Sequence, residues 1–179
     1  RMLRRHWREA ELPQNFQIID SDDQLRLIKR LLKNLEIDDG QWAPTINLGV
    51  PVLIPEAYVP DLDVRLGLYR RLSELHTKVE LEGFAAELID RFGLLPEPAR
   101  NLVRIAGLKQ RAAALGIDKI DVADGGGYLT FGEESAIDAL ALVKLVQGDS
   151  QTFRLQGSHK LRFQQGLADL GERFTFIEN

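Results

Sequence analysis

Glu87, Asp90 and Arg91 sit within about one turn of each other in the run LEGFAAELIDRFG, and they best combine residue type with a usable spacing. Two carboxylates and a guanidinium on one helix face do no covalent chemistry. What they can do is recognise: the acids accept hydrogen bonds from a partner's arginines, and the guanidinium donates a planar pair to an acid. Arginines facing Glu87 and Asp90 would be held better than lysines, because the geometry is bidentate. The plain alternative is a solvated face in which Glu87 and Arg91 form an ordinary intrahelical ion pair.

Other groupings lead away from catalysis. Glu133-Glu134 precede an expected helix, where the dipole favours acids, and read as structural. Ser73, Ser135 and Ser158 lie in capping or turn contexts, and no adjacent base can be argued for any of them. His6, His76 and His159 have no metal-ligand spacing and read as surface residues. Cysteine is absent, which rules out disulfides and thiolate metal sites. Gly125-Gly126-Gly127 lacks the third glycine of a dinucleotide fingerprint and leads into no helix, so a flexible hairpin tip is expected. No G-x-x-x-x-G-K-[ST] phosphate loop occurs. The expectation is a chain with no catalytic residue, no metal site and no cofactor of its own.

Two basic sets bear on nucleic acid. Arg4, Arg5 and Arg8, with Arg1 before them and Trp7 available for stacking, could follow a phosphate backbone. Arg154, Lys160 and Arg162 alternate with Phe153, Leu155, Leu161 and Phe163, which lines them along the outer face of one hairpin. For each, the plain reading is a solvated face opposite a buried one. The net charge of −4 over 179 residues argues against binding through bulk electrostatics.

The elements that must position these residues can be read from periodicity. Leu81, Phe84, Ala85, Leu88, Ile89 and Phe92 recur at spacings of three and four, so the recognition triad stands on a helix anchored by one apolar stripe. Gly93 and the following proline end it. A second helix opens at Pro96-Glu97-Pro98 and runs to Leu115 before Gly116, with apolar residues over more than half its circumference. Upstream, Ile46, Leu48, Val50, Val52 and Ile54 alternate as a half-buried strand, with Pro51 placing it at an edge. Asp61 caps a helix from Leu62 to about His76 with Arg65, Arg70 and Arg71 toward solvent. Downstream, Lys119–Ala123 and Tyr128–Gly132 form a hairpin, and Ser135 caps a helix that ends near Gly148 and offers Ile137, Leu140, Val143 and Leu145 to the core. Thr152–Gln156 and Lys160–Phe163 pair across Gly157-Ser158, and Gln164 to Leu170 reads as helical. The fold expected is α+β, helices packed on short antiparallel strands and hairpins, with a small helical N-terminal segment.

Hydrophobic content of 44% and charged content of 28% fit a soluble globular chain long enough to bury a core. No apolar run approaches the roughly 20 residues that span a bilayer, and no signal peptide is visible, so a cytoplasmic protein without membrane partners is expected. The start at Arg1-Met2 and the stop at Ile177-Glu178-Asn179 read as those of a fragment.

Residues 1–44 have their own texture: eight basic and eight acidic residues, and a helix from Asp20 through Leu35. RMLRRHW and LPQNFQIIDSDDQLRLIKRLLKNLEIDDGQW resemble part of the 1B subdomain of UvrD-type superfamily 1 DNA helicases. Residues 45–179 resemble the C-terminal domain of the bacterial transcription-repair coupling factor (Mfd) family, on INLGVPVLIPEAYVPDLDVRLGLYRRL, ELIDRFGLLPEPARNL and FRLQGSHKLRF in that order. That second resemblance implies a non-catalytic domain of an ATP-dependent, magnesium-using DNA translocase. It implies packing against the UvrB-like N-terminal module of the same protein, masking the surface that recruits UvrA, with Glu87, Asp90 and Arg91 in the contact. RNA polymerase and DNA would be engaged through the parent protein. The first resemblance supports the alternative, a DNA-binding helicase fragment working through Arg4, Arg5 and Arg8.

Overall fold

The computed structural model describes Arg26 and residues 44–179, so the Arg4, Arg5 and Arg8 stripe and the helicase-like segment fall outside the described residues apart from Arg26 and Pro44. Ten elements follow in order: β1 (Thr45–Asn47), α1 (Leu62–Ser73), α2 (Lys78–Phe92), α3 (Glu97–Leu115), β2 (Ile117–Ala123), β3 (Gly126–Phe131), α4 (Ala139–Gly148), β4 (Phe153–Gln156), β5 (Lys160–Gln164) and α5 (Leu170–Glu178). The strands form one sheet in the order β1-β2-β3-β5-β4. This is the expected α+β architecture with one correction: β1 runs parallel to β2, so the sheet is mixed. Three helices separate β1 from β2, a connection long enough to bring the chain back in the same direction.

Local signals set the helix ends. Asp61 accepts from the Val64 amide at 3.0 Å and starts α1. Thr77 and Glu80 form a reciprocal capping box at the start of α2, which stops α1 at Ser73 rather than His76. Proline occupies the first turn of α3, and Gly116 ends it at φ +68°. A Cβ at Gly116 would stand 2.6 Å from the Ser135 Cα, so the position demands glycine twice over.

Several expectations fail for tertiary reasons. The alternation from Ile46 to Ile54 is an alternation of burial, and only Thr45–Asn47 is strand. Gly49 turns the chain at φ +64°, and Pro51 can donate nothing to a ladder. Arg65 is 2% exposed rather than solvent-facing, and its guanidinium donates to Val59 O at 2.6 Å and Pro60 O at 3.1 Å. Gly126 and Gly127 are strand residues, not a flexible tip, leaving Asp124-Gly125 as the two-residue turn. A Cβ on Gly126 would collide with Phe163 O, and one on Gly127 with Asp121 O. Asp138, not Ser135, caps α4. The Ser135 hydroxyl instead donates to Leu115 O at 2.9 Å. Leu140, Val143 and Leu145 are exposed, and Leu142 and Val146 face the core in their place. No helix spans Gln164 to Leu170; the last helix follows it, capped by Asp169.

Two apolar clusters result. Ile54, Val59, Leu68, Tyr69, Leu72, Leu81, Phe84 and Leu88 pack the helical half. Ile117, Ile120, Val122, Phe131, Leu161, Phe163 and Phe174 fill the inner side of the sheet. The long helix α3 joins them, with Leu102 in the first and Ile105, Leu108 and Ala112 in the second. Six residues of α3 are buried, the largest number among the described helices.

Candidate functional site

Helix α2 sets Glu87, Asp90 and Arg91 on its outer side because Leu81, Phe84 and Leu88 take the inner one. Its C-terminal end is stapled. The Tyr58 hydroxyl lies 3.0 Å from Leu88 O and 2.7 Å from Gly93 O, and its ring meets Phe92 edge-on at 5.8 Å between centroids. Burial raises the Tyr58 pKa, so the hydroxyl stays a donor. A ridge on this helix therefore has a fixed aim.

The structure divides the triad. Glu87 is half-exposed and fully engaged: Arg71 on α1 donates to both its oxygens at 2.9 and 2.7 Å, and Arg91 adds a bond at 3.0 Å. The Arg71 and then the Arg91 hydrogen bonds hold the Glu87 carboxyl down at about 2, and the same pairing raises the Arg71 pKa. Arg71 also covers the Phe84 ring at 5.5 Å, and Arg91 covers the Phe92 ring at 4.9 Å. The expected Glu87–Arg91 pair is present, but Arg71 is a member that sequence reasoning missed. It lies sixteen residues from Glu87, beyond any helical period, and only the packing of α1 on α2 joins them.

Asp90 is exposed, and among the described residues no hydrogen bond or ion pair engages it. Two large apolar side chains accompany it: Ile89, expected in the buried stripe but 43% exposed, and Leu94, 87% exposed at the following corner. The surface is thus an open carboxylate, a guanidinium oriented by Glu87, and an apolar pair, a composition that suits a docking patch. The remaining candidates are dispersed. His76 and His159 are exposed, and the described residues contain no group of three metal-capable side chains. Among the described residues, no helix is long and apolar enough to cross a membrane.

These features define a class: an α+β domain with a mixed five-stranded sheet and a charged ridge on a surface helix. The chain belongs to the TRCF domain family, which matches residues 48–142. It is 44% identical over 133 residues to the transcription-repair-coupling factor of Escherichia coli, an alignment covering 74% of this chain and 11% of that protein. Against the protein of the same name from Haemophilus influenzae the identity is 34% over 137 residues, covering 76% and 12%. The chain therefore spans about a tenth of the length of these curated relatives. A crystal structure of the C-terminal domain of transcription-repair coupling factor has the same fold, with a TM-score of 0.60 at 19% identity over 78% of this chain and 97% of that one.

Proposed function

We propose that this domain is a regulatory interaction module of a transcription-coupled DNA repair translocase, and that it masks the UvrA-recruiting surface of a UvrB-like module in the same protein. The open Asp90 carboxylate beside the pre-set Arg91 on a stapled helix carries the reading. Glu87 acts within the domain, holding Arg91 at the angle a partner's acid would meet. Asp90 meets the partner's arginine, and Ile89 and Leu94 supply the dry contact beside it. The domain takes no part in chemistry. ATP and magnesium belong to other modules of the parent, which also engage DNA and RNA polymerase in the cytoplasm.

The mechanism is competition between a tethered contact and a free one. A tether raises the effective concentration of the internal partner into the millimolar range, so a weak ridge contact suffices to mask the surface. Loss of one charge pair then shifts the masked population by its own factor. The test is a titration of the isolated UvrB-like module with Asp90→Arg at moderate salt. At least about tenfold weaker binding, near 1.4 kcal/mol, is expected with an unchanged melting temperature. An unaltered Kd removes the role.

A further inference from the structure

Among the described residues, the sheet has one covered side and one open side. Ile46, Ile120, Leu129 and Leu161 point toward the helices, whereas the opposite side carries two cross-strand rows in register. One row is Asn47, Asp121, Tyr128, Arg162 and Arg154; the next is Thr45, Lys119, Thr130, Lys160 and Gln156. None of these side chains is buried, so no described element packs over them.

Charge on this face runs against that of the chain. It holds Lys119, Lys160, Arg154 and Arg162 with the single carboxylate of Asp121, on a protein of net charge −4. Lys119 takes that carboxylate at 2.7 Å, and Lys160 lies 4.7 Å over the Tyr128 ring. Arg154 and Arg162 stand directly opposite each other in the ladder, and among the described residues neither has an acidic partner. Like charges in that position destabilise a sheet, and an anion between them would relieve the repulsion. Beside them a trough of about 470 Å³ is lined by Asn47, Asp121, Gly126, Tyr128, Arg162 and Gln164, among others. The floor is low where Ala123 meets Gly126, since neither carries a bulky side chain.

We infer that this open sheet face binds single-stranded nucleic acid, with backbone phosphates on Arg154, Arg162 and Lys160 and one base seated in the trough against Tyr128. A phosphate fits two facing guanidiniums, because its oxygens can accept from both at once. The trough's rim offers amides from Asn47 and Gln164 and an acid from Asp121, donors and acceptors of the kind that read an exposed base edge. A base must be unstacked to lie there, which selects a single strand over a duplex. Aromatic groups flanked by cations on an open sheet are a recurring platform for such strands. The inference is independent of the masking contact, which uses residues of α2 and none of the sheet.

The test is fluorescence anisotropy of the 179-residue chain with labelled 20-nucleotide oligothymidine and oligouridine, the matching duplex, and poly-glutamate, from low to moderate salt. Expected is preference for a single strand over duplex and poly-glutamate, with a log–log salt slope of about −2 for three phosphates. Arg154→Gln with Arg162→Gln should cut affinity at least about tenfold and flatten the slope by about 1.4. Tyr128→Ala should cost about tenfold while Tyr128→Phe retains binding. Absence of single-strand binding at low salt overturns the inference, as does equal or tighter binding of the duplex or poly-glutamate. Loss on neutralising Arg4, Arg5 and Arg8, with the sheet variants unaffected, overturns it too.

Discussion

The helical half and the sheet half handle charge in opposite ways. On α2, the acid at Glu87 is satisfied at home by Arg71 and Arg91, so its surface is stable as it stands and leaves Asp90 alone open. On the sheet, Arg154 and Arg162 oppose each other, and among the described residues no acid pairs with either. A satisfied network rigidifies the element that bears it, whereas like charges facing each other across a ladder destabilise it. Each half also has one buried arginine acting as a clamp rather than a charge. Arg65 ties down Val59 and Pro60. Arg173, 5% exposed, donates to Leu167 O and Leu48 O, both at 2.8 Å, and pairs with Asp124.

The largest effects should come from the cores. Phe84→Ala in the helical half and Phe163→Ala under the sheet are each expected to cost about 3–5 kcal/mol in urea unfolding. Because α3 contributes to both clusters, each variant should still unfold in one transition. Two resolved transitions would show that the halves are separate units. Arg173→Met comes next, at about 3 kcal/mol, since it strands buried carbonyls of two loops without a donor. A loss well below that would mean the loops close without their clamp.

Smaller changes sharpen the contrast in charge. Arg154→Glu replaces repulsion across the ladder with attraction and should raise stability by about 0.5 kcal/mol while removing single-strand affinity. A fall in stability would mean that Arg154 and Arg162 do not repel. The opposite sign holds on α2. The Glu87 carboxyl is held at about 2, below its ordinary 4.5, so its contribution to stability is complete above pH 4.5 and disappears as pH falls through about 2. Glu87→Gln should therefore melt below the parent at pH 7 and converge with it toward pH 2. A gap independent of pH would show that the carboxylate charge is not what matters.

What could be read beforehand followed from periods shorter than about twenty residues. The α2 stripe, the Asp61 cap, the Gly116 stop and the hairpin at Gly157 are local, and so is the Glu87–Arg91 pair. On α1, Arg70 and Arg71 face solvent as expected, but Arg65 is buried because its side chain is long enough to reach buried carbonyls while its polarity signals solvent. The apolar run of α4 does not say by composition which side meets the sheet, so Leu142 and Val146 rather than Leu140, Val143 and Leu145 pack on the core, with Ile137 as expected. Alternation alone sets the hairpin arginines on an outer face, as observed, but does not fix Arg154 opposite Arg162.

The chain by itself determined its α+β class, the helices that carry the ridge and the outward aim of Glu87, Asp90 and Arg91, because these depend on the alternation of apolar and polar residues along a single element. Tertiary structure alone decided that Arg71 reaches Glu87, that β1 runs parallel to β2, and that Lys119, Tyr128, Lys160, Arg162 and Arg154 share one open face. Those outcomes depend on distances between segments far apart in sequence. Such distances are set by how two cores pack about α3, and no local pattern encodes them.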